Sequence, residues 1–167
     1  MNTYCPPVIT FVGWHNEGKT TVASRVVNIL KKRGIKLAVV KSSKETGLSP
    51  NTPGTDTDTY LHSGADAIML ATPDTITITT STGKTSLTDL ATTYFSTMEI
   101  VIGEGFKHEK GIAKIEVNHT GQNLLWNDDP DVIALVSDTP PFHPTTFASV
   151  DYDNIAQFII NNLLATK

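Results

Sequence analysis

Strand-length apolar runs alternate with helical stretches along this chain, which predicts an α/β fold with a mostly parallel central sheet. Two observations carry that prediction. Val8 to Val12 is a strand-like run, Lys19 to Lys32 repeats apolar residues at helical spacing, and Leu37 to Val40 is a second run; strand, helix and strand make a βαβ unit. Such a unit implies parallel strands joined by a right-handed crossover. Ile100-Val101-Ile102 is apolar without alternation, as in a parallel strand covered on both faces.

The elements follow in order. In the first helix Val22, Val26, Ile29 and Leu30 share a face, with Ala23 and Val27 beside them, and Gly34 closes it. Residues 42 to 59 are rich in Ser, Thr, Gly, Pro and Asn and read as a long loop of functional type. Ala67 to Ala71 is a short strand. Thr75 to Thr80 sets Ile76 and Ile78 between threonines, the period of a half-exposed strand, with a turn over Ser81 to Lys84. Leu87, Leu90, Ala91 and Tyr94 suit a helix; Lys114 to Val117 and Val132 to Val136 are two further strands. The last helix carries Ile155, Phe158, Ile159 and Leu163, with Asp151 as its expected N-cap.

Length and composition bound the rest. A chain of 167 residues fits one domain over 1–167, without repeats or a separating linker. A domain of that size buries about 70% of its unfolded surface, so it needs no staple. The net charge of −4 and only two arginines, Arg25 and Arg33, argue against a nucleic-acid-tracking surface. Cys5, the lone cysteine, excludes a disulfide framework and a CxxC site. No apolar run approaches the ~20 residues that span a bilayer, and no leader pattern opens the chain. The expectation is a soluble, cytoplasmic protein that binds neither membrane nor nucleic acid.

Gly13-Trp14-His15-Asn16-Glu17-Gly18-Lys19-Thr20 matches G-x-x-x-x-G-K-[ST]. At average residue usage such a match arises by chance in about one chain of this length in 200. Here it also has a strand before it and a helix after it. The chemistry needs each part. Backbone N–H groups converge on phosphate oxygens, Gly18 lets the backbone approach, and the helix aims its positive end at the anion. Lys19 is the bridge to the β- and γ-phosphates, and the Thr20 hydroxyl is a ligand for Mg²⁺. With this motif in place, the α/β expectation becomes the three-layer fold of P-loop nucleotide-binding proteins.

Magnesium needs a second acidic element. Glu104 follows the buried run Ile100 to Ile102 at the carboxyl end of a strand, the edge where open α/β sheets bind ligands. It is the Walker B-like candidate; the alternative is an edge glutamate in a salt bridge, with Lys107 as its partner. Asp56, in Gly54-Thr55-Asp56-Thr57-Asp58-Thr59, competes as a magnesium or switch residue against a plain solvated turn. Ser137-Asp138 ends the run Val132 to Val136. Asp138 can accept from guanine N1 and N2, or simply cap a turn before Pro140-Pro141.

Other features carry less. His108-Glu109 lacks the second histidine of a zinc hydrolase. His15 reads as a loop residue, and His62, His119 and His143 as scattered surface or core polar groups. Asp128, Asp129 and Asp131 lack calcium-loop spacing and read as a solvated turn. Trp126 reads as partial core, with a dimer contact as the alternative.

Three segments together resemble the molybdopterin-guanine dinucleotide biosynthesis adapter family (MobB): Gly13 to Thr21, Pro53 to Ala65, and Glu104-Gly105-Phe106-Lys107-His108-Glu109 with Lys114-Ile115-Glu116-Val117. Many families share the phosphate loop; the last pair of segments is far more particular. The resemblance implies a GTP-binding, weakly hydrolysing homodimer that assists a guanylyltransferase. That enzyme joins GMP from GTP to the molybdenum or tungsten pterin cofactor, with molybdopterin itself a further ligand. By position it places the nucleotide site at Asn16, Glu17, Gly18, Lys19, Thr20 and Thr21, the acidic motif at Glu104 and Lys107, and the glycine-aspartate segment's aspartate at Asp56. The catalytic set is then Lys19, Glu104 and Asp56, with Thr20 and Glu104 on Mg²⁺.

Some family positions differ. Lys41 is followed by Ser42-Ser43 rather than histidines, Thr55 stands where a basic residue is usual, and Leu61-His62 precedes Ser63-Gly64-Ala65 without another. These changes remove positive charge available to a pterin phosphate. The rival reading is a small-molecule kinase using ATP, with residues 42 to 59 as its lid. Kinases commonly bring lid arginines to the transferred phosphoryl group, and both arginines here belong to the first helix or its end.

Overall fold

The computed structural model of the chain describes residues 4–45, 53–80, 83 and 85–164. It divides into two compact units, one made of the chain up to Ser42 together with everything from Ser86 onward, the other of Ser43–Thr85.

The larger unit holds a six-stranded sheet in the order β2-β5-β1-β6-β7-β8. The strands are β1 (Val8–Val12), β2 (Leu37–Lys41), β5 (Ile100–Glu104), β6 (Ala113–Val117), β7 (Val132–Val136) and β8 (Thr146–Phe147). Every neighbouring pair is parallel. β1 lies centrally, with Ile9 opposite Ile102 on one side and Ala113 on the other. Residues two apart share a sheet face, and the packing follows that rule. Ile9, Phe11, Ile100, Ile102, Ile115 and Val117 pack with helices α1 (Lys19–Lys32) and α4 (Tyr152–Ile159), which ends in a π-turn over Ile160–Leu164. Val101 and Ala38 face the other way, toward Leu87 and Ala91 of α3 (Leu87–Phe95). The three layers expected of a P-loop fold are therefore present. Gly103 keeps the α3 side close, because a Cβ there would stand 2.5 Å from Leu87 and 2.7 Å from the Thr10 hydroxyl.

Where β6 turns its other face, loops cover it instead of a helix. Lys114, Glu116 and Asn118 alternate on that side, and all three are fully buried. Lys114 donates to the carbonyls of Lys107 and Glu109. Glu116 accepts from the N–H groups of Leu125 (2.9 Å) and Trp126 (3.0 Å), just where a short 3₁₀ turn, Leu125–Asn127, begins. The Asn118 side chain donates to the Gln122 carbonyl at 2.8 Å and accepts from the Gly121 N–H at 2.9 Å. Each polar side chain satisfies loop groups that burial would otherwise orphan.

The smaller unit carries helix α2 (Asp56–His62) and an antiparallel hairpin of β3 (Ala67–Ala71) and β4 (Ile76–Thr80), in which Met69 faces Ile78. Two expectations change here. Residues 42 to 59 are not loop throughout, because Thr55 caps α2 by accepting from the Asp58 N–H. The strand at Ile76 pairs with β3 and, among the described residues, with no strand of the central sheet, and Ile76 is 65% exposed rather than half-buried. Ser81, Thr82 and Lys84 of the expected turn, and residues 46–52 of the expected loop, lie outside the described residues. At α4 Asp151 occupies the N-cap position, yet its carboxylate accepts from the Asn154 side chain instead of a helical N–H.

Candidate nucleotide-binding site

The phosphate loop joins β1 to α1. At Gly13, φ is +146° and a Cβ would stand 2.3 Å from the Val117 carbonyl, so the loop can leave β1 this close to β6 only without a side chain. Asn16 also takes a positive φ of 64°, and Gly18 one of 76°. Gly18 is the N-cap of α1; it offers no capping side chain, and the first turn, Lys19-Thr20-Thr21, contains no acid. The N-terminal N–H groups of α1 thus lack a capping side chain, which suits an incoming anion.

Glu17 points inward. Its carboxylate accepts from the His119 N–H at 2.6 Å and the Thr120 hydroxyl at 3.3 Å, tying the loop to the end of β6. Lys19 donates to the Trp14 carbonyl across the loop. Burial pushes the Lys19 ammonium below its ordinary pKa; Glu104 and Glu17 oppose that shift, while Lys107 and Lys41 add to it. Among the described residues no carboxylate stands in ion-pair contact with Lys19.

The Thr20 hydroxyl donates to Glu104 Oε1 at 2.6 Å, and Lys41 Nζ lies 3.1 Å from the same oxygen. Glu104, only 12% exposed at its side chain, therefore pairs with Lys41; the expected Lys107 partner is engaged elsewhere. Lys107 Nζ stands 3.7 Å above the Trp14 ring, a cation–π contact. Trp14 is itself fixed by its indole N–H, which donates to the Asn123 carbonyl at 2.7 Å. The loop carrying Lys107 is stitched down twice, by Lys114 and by Glu109, whose carboxylate accepts from the Leu87 N–H at the start of α3.

Lys19, Thr20, Glu104 and Lys41 thus meet at the carboxyl edge of β1, β2 and β5, and Lys107 reaches them through Trp14. Thr21 lines a polar groove of about 370 Å³ with Thr20, Ser24, Arg25 and Asn28. Asp138 lies exposed beyond β7, with one oxygen accepting from the Ser149 N–H at 2.9 Å. Asp56 belongs to the smaller unit, as the first residue of α2. Sequence spacing does not mark His119, whose ring edge abuts Gly18. Its position emerges only from the approach of β6 to the phosphate loop.

A family profile described as molybdopterin guanine dinucleotide synthesis protein B matches residues 8–138. A molybdopterin-guanine dinucleotide biosynthesis adapter protein of Escherichia coli (strain K12) is 27% identical over 164 residues, covering 92% of this chain and 91% of that protein. Its namesake in Haemophilus influenzae is 29% identical over 159 residues, covering 93% and 88%. Among solved structures, a crystal structure of molybdopterin-guanine biosynthesis protein B superposes with a TM-score of 0.75 at 25% identity, over 93% of this chain and 98% of that one. Bacillus subtilis MobB gives a TM-score of 0.74 at 23% identity, over 94% and 98%, and speaks for the fold alone. With the profile spanning most of the chain and both sheet edge and phosphate loop in place, the chain belongs to the molybdopterin guanine dinucleotide synthesis protein B (MobB) family.

Proposed function

We propose that the chain is a GTP-binding adapter with slow GTPase activity. It would act beside the guanylyltransferase that attaches GMP to the molybdenum pterin cofactor. The observation that carries this reading is the 2.6 Å contact between Thr20 and Glu104, which joins the helix end to the carboxyl edge of β5. A hydroxyl and a carboxylate are hard oxygen donors that suit Mg²⁺, whose remaining ligands are commonly phosphate oxygens and water. Thr20 and Glu104 would hold that ion, and bound Mg²⁺ would neutralise charge on the β- and γ-phosphates. Asn16, Glu17, Gly18 and Thr21 would form the loop around the phosphates, with Lys19 on their oxygens. Asp138, exposed beyond β7, would accept from guanine.

The same arrangement argues for slow chemistry. Lys41 is paired with Glu104 and Lys107 rests on Trp14, so neither cation stands free beside Lys19. A guanidinium supplied in trans accelerates GTPases by about 10³ to 10⁵-fold. Turnover of the protein alone should fall well below ~1 s⁻¹. The hairpin exposes Met69, Leu70, Ile76 and Ile78, which favours a homodimer. Molybdopterin itself is a further ligand in this reading.

Calorimetric titration with GTP and with ATP, each with Mg²⁺, combined with phosphate-release kinetics, tests it. GTP preference with slow release is expected. ATP preference with transfer to a small acceptor would replace it with a kinase.

A further inference from the structure

His119 follows β6 between the phosphate loop and the end of β7. Its backbone is held from both sides: its N–H donates to Glu17 at 2.6 Å, and its carbonyl accepts from the Thr139 hydroxyl at 3.0 Å. The ring edge lies on Gly18, where a Cβ would stand 3.1 Å from Nε2 and 3.6 Å from Cδ2. Thr139, which holds the His119 carbonyl, is preceded in the chain by Asp138. Hydrogen bonds from Ser149 hold that carboxyl below its ordinary pKa, desolvation opposes them, and the charge of His119 adds to the lowering. Among the described residues neither ring nitrogen of His119 has a hydrogen-bond partner. A residue fastened this firmly, with an unspent polar ring, has its side chain pre-positioned for something outside the chain.

The neighbours say what that is. Gly18 belongs to the loop that would hold the phosphates, and Asp138 is the proposed acceptor for the base. A nucleotide with its phosphates on the loop and its base at Asp138 has its sugar between the two, and His119 is bonded to both segments, to Glu17 on one side and Thr139 on the other. We propose that His119 is a specificity-determining residue of the nucleotide site, its ring nitrogen hydrogen-bonding a ribose hydroxyl. This rests on the GTP-site reading above.

The test compares GTP with 2′,3′-dideoxy-GTP by calorimetry, both with Mg²⁺, in the full chain. The wild-type protein should prefer GTP by about tenfold, as for one hydrogen bond to a sugar hydroxyl. His119→Ala should abolish that preference while leaving dideoxy-GTP affinity nearly unchanged. His119→Phe, which keeps a ring without its nitrogens, should do the same and carries the test if the alanine variant fails to fold. A preference that survives in either folded variant overturns the proposal, as does a wild-type protein without any preference. Equal weakening of both nucleotides would show a merely structural ring and also overturn it. Failure of the wild-type protein to bind GTP at all would instead remove the GTP-site reading on which it rests.

Discussion

Lys114 is completely buried in β6, and its ammonium lies 2.7 Å from a carboxylate oxygen of Asp129. Asp131 stands farther off, at 3.8 Å. The pair fastens the loop that carries Lys107 to the segment after the 3₁₀ turn, so a buried charge underlies the geometry of the site. Burial alone would raise the Asp129 pKa. Hydrogen bonds from Lys114 and the Asp131 N–H, with the charges of Lys114 and Lys110, outweigh it and hold the carboxyl below its ordinary 3.8. A carboxyl depressed in the folded state stabilises it fully above that ordinary value, and the contribution is lost as pH falls through the folded-state pKa. Asp129→Asn should therefore cost about 2–3 kcal/mol at neutral pH, because it leaves the Lys114 charge poorly paired. Denaturant unfolding measures this, and the gap between wild type and variant should close in acid below about pH 4.

Lys19→Ala should reduce GTP affinity by at least about a hundredfold, through loss of charge-assisted hydrogen bonds to phosphate. It should leave thermal stability unchanged or slightly raised. Burial depresses the Lys19 pKa, so its charged form weakens the fold at neutral pH, and stability rises as pH climbs toward 10.5. Circular dichroism melting beside binding titration checks both halves. Undiminished affinity in a folded variant would remove the phosphate-loop argument.

Glu104→Gln should lower GTP hydrolysis about tenfold or more while sparing Mg²⁺-free nucleotide binding. The amide keeps the Thr20 contact but no longer carries the charge that holds a divalent ion and Lys41. Adding EDTA should weaken binding in the wild-type protein and hardly alter it in the variant. Parallel loss of hydrolysis and metal-free binding would assign Glu104 a structural role at the end of β5.

Sedimentation should show a dimer at micromolar concentration. In β3 and β4, Met69, Leu70, Ile76 and Ile78 are all exposed, on a two-stranded ribbon whose outer edges are unpaired among the described residues. Such a ribbon is marginal alone and is ordinarily covered. Met69→Lys with Ile78→Lys, cross-strand neighbours, should shift the protein to monomer without unfolding the central sheet.

Much of this was written in local pattern. The runs at Val8 and Val132 became buried strands with those bounds, the run at Ala67 became an exposed one, and Lys19 to Lys32 became α1, because a short apolar run between turn residues and an apolar period of 3.6 are both signals of neighbours in the chain. The phosphate loop was legible because its glycines and Lys19-Thr20 are contiguous. Local pattern could not show α2, whose seven residues bury none of their side chains and so carry no apolar stripe. Nor could it show the two-residue β8, which pairs with β7 at the edge of the sheet. The motifs around Glu104 and Lys114 stood out as a resemblance, but their physical meaning lies in contacts between strands. Glu104 meets Thr20 across 84 positions, and Glu17 meets His119 across 102. Sequence determines which backbone segments can be buried, since burial of a periodic apolar face is a property of neighbours in the chain. Tertiary structure alone decides which buried charge finds which partner, since a hydrogen bond depends on where distant strands place their atoms.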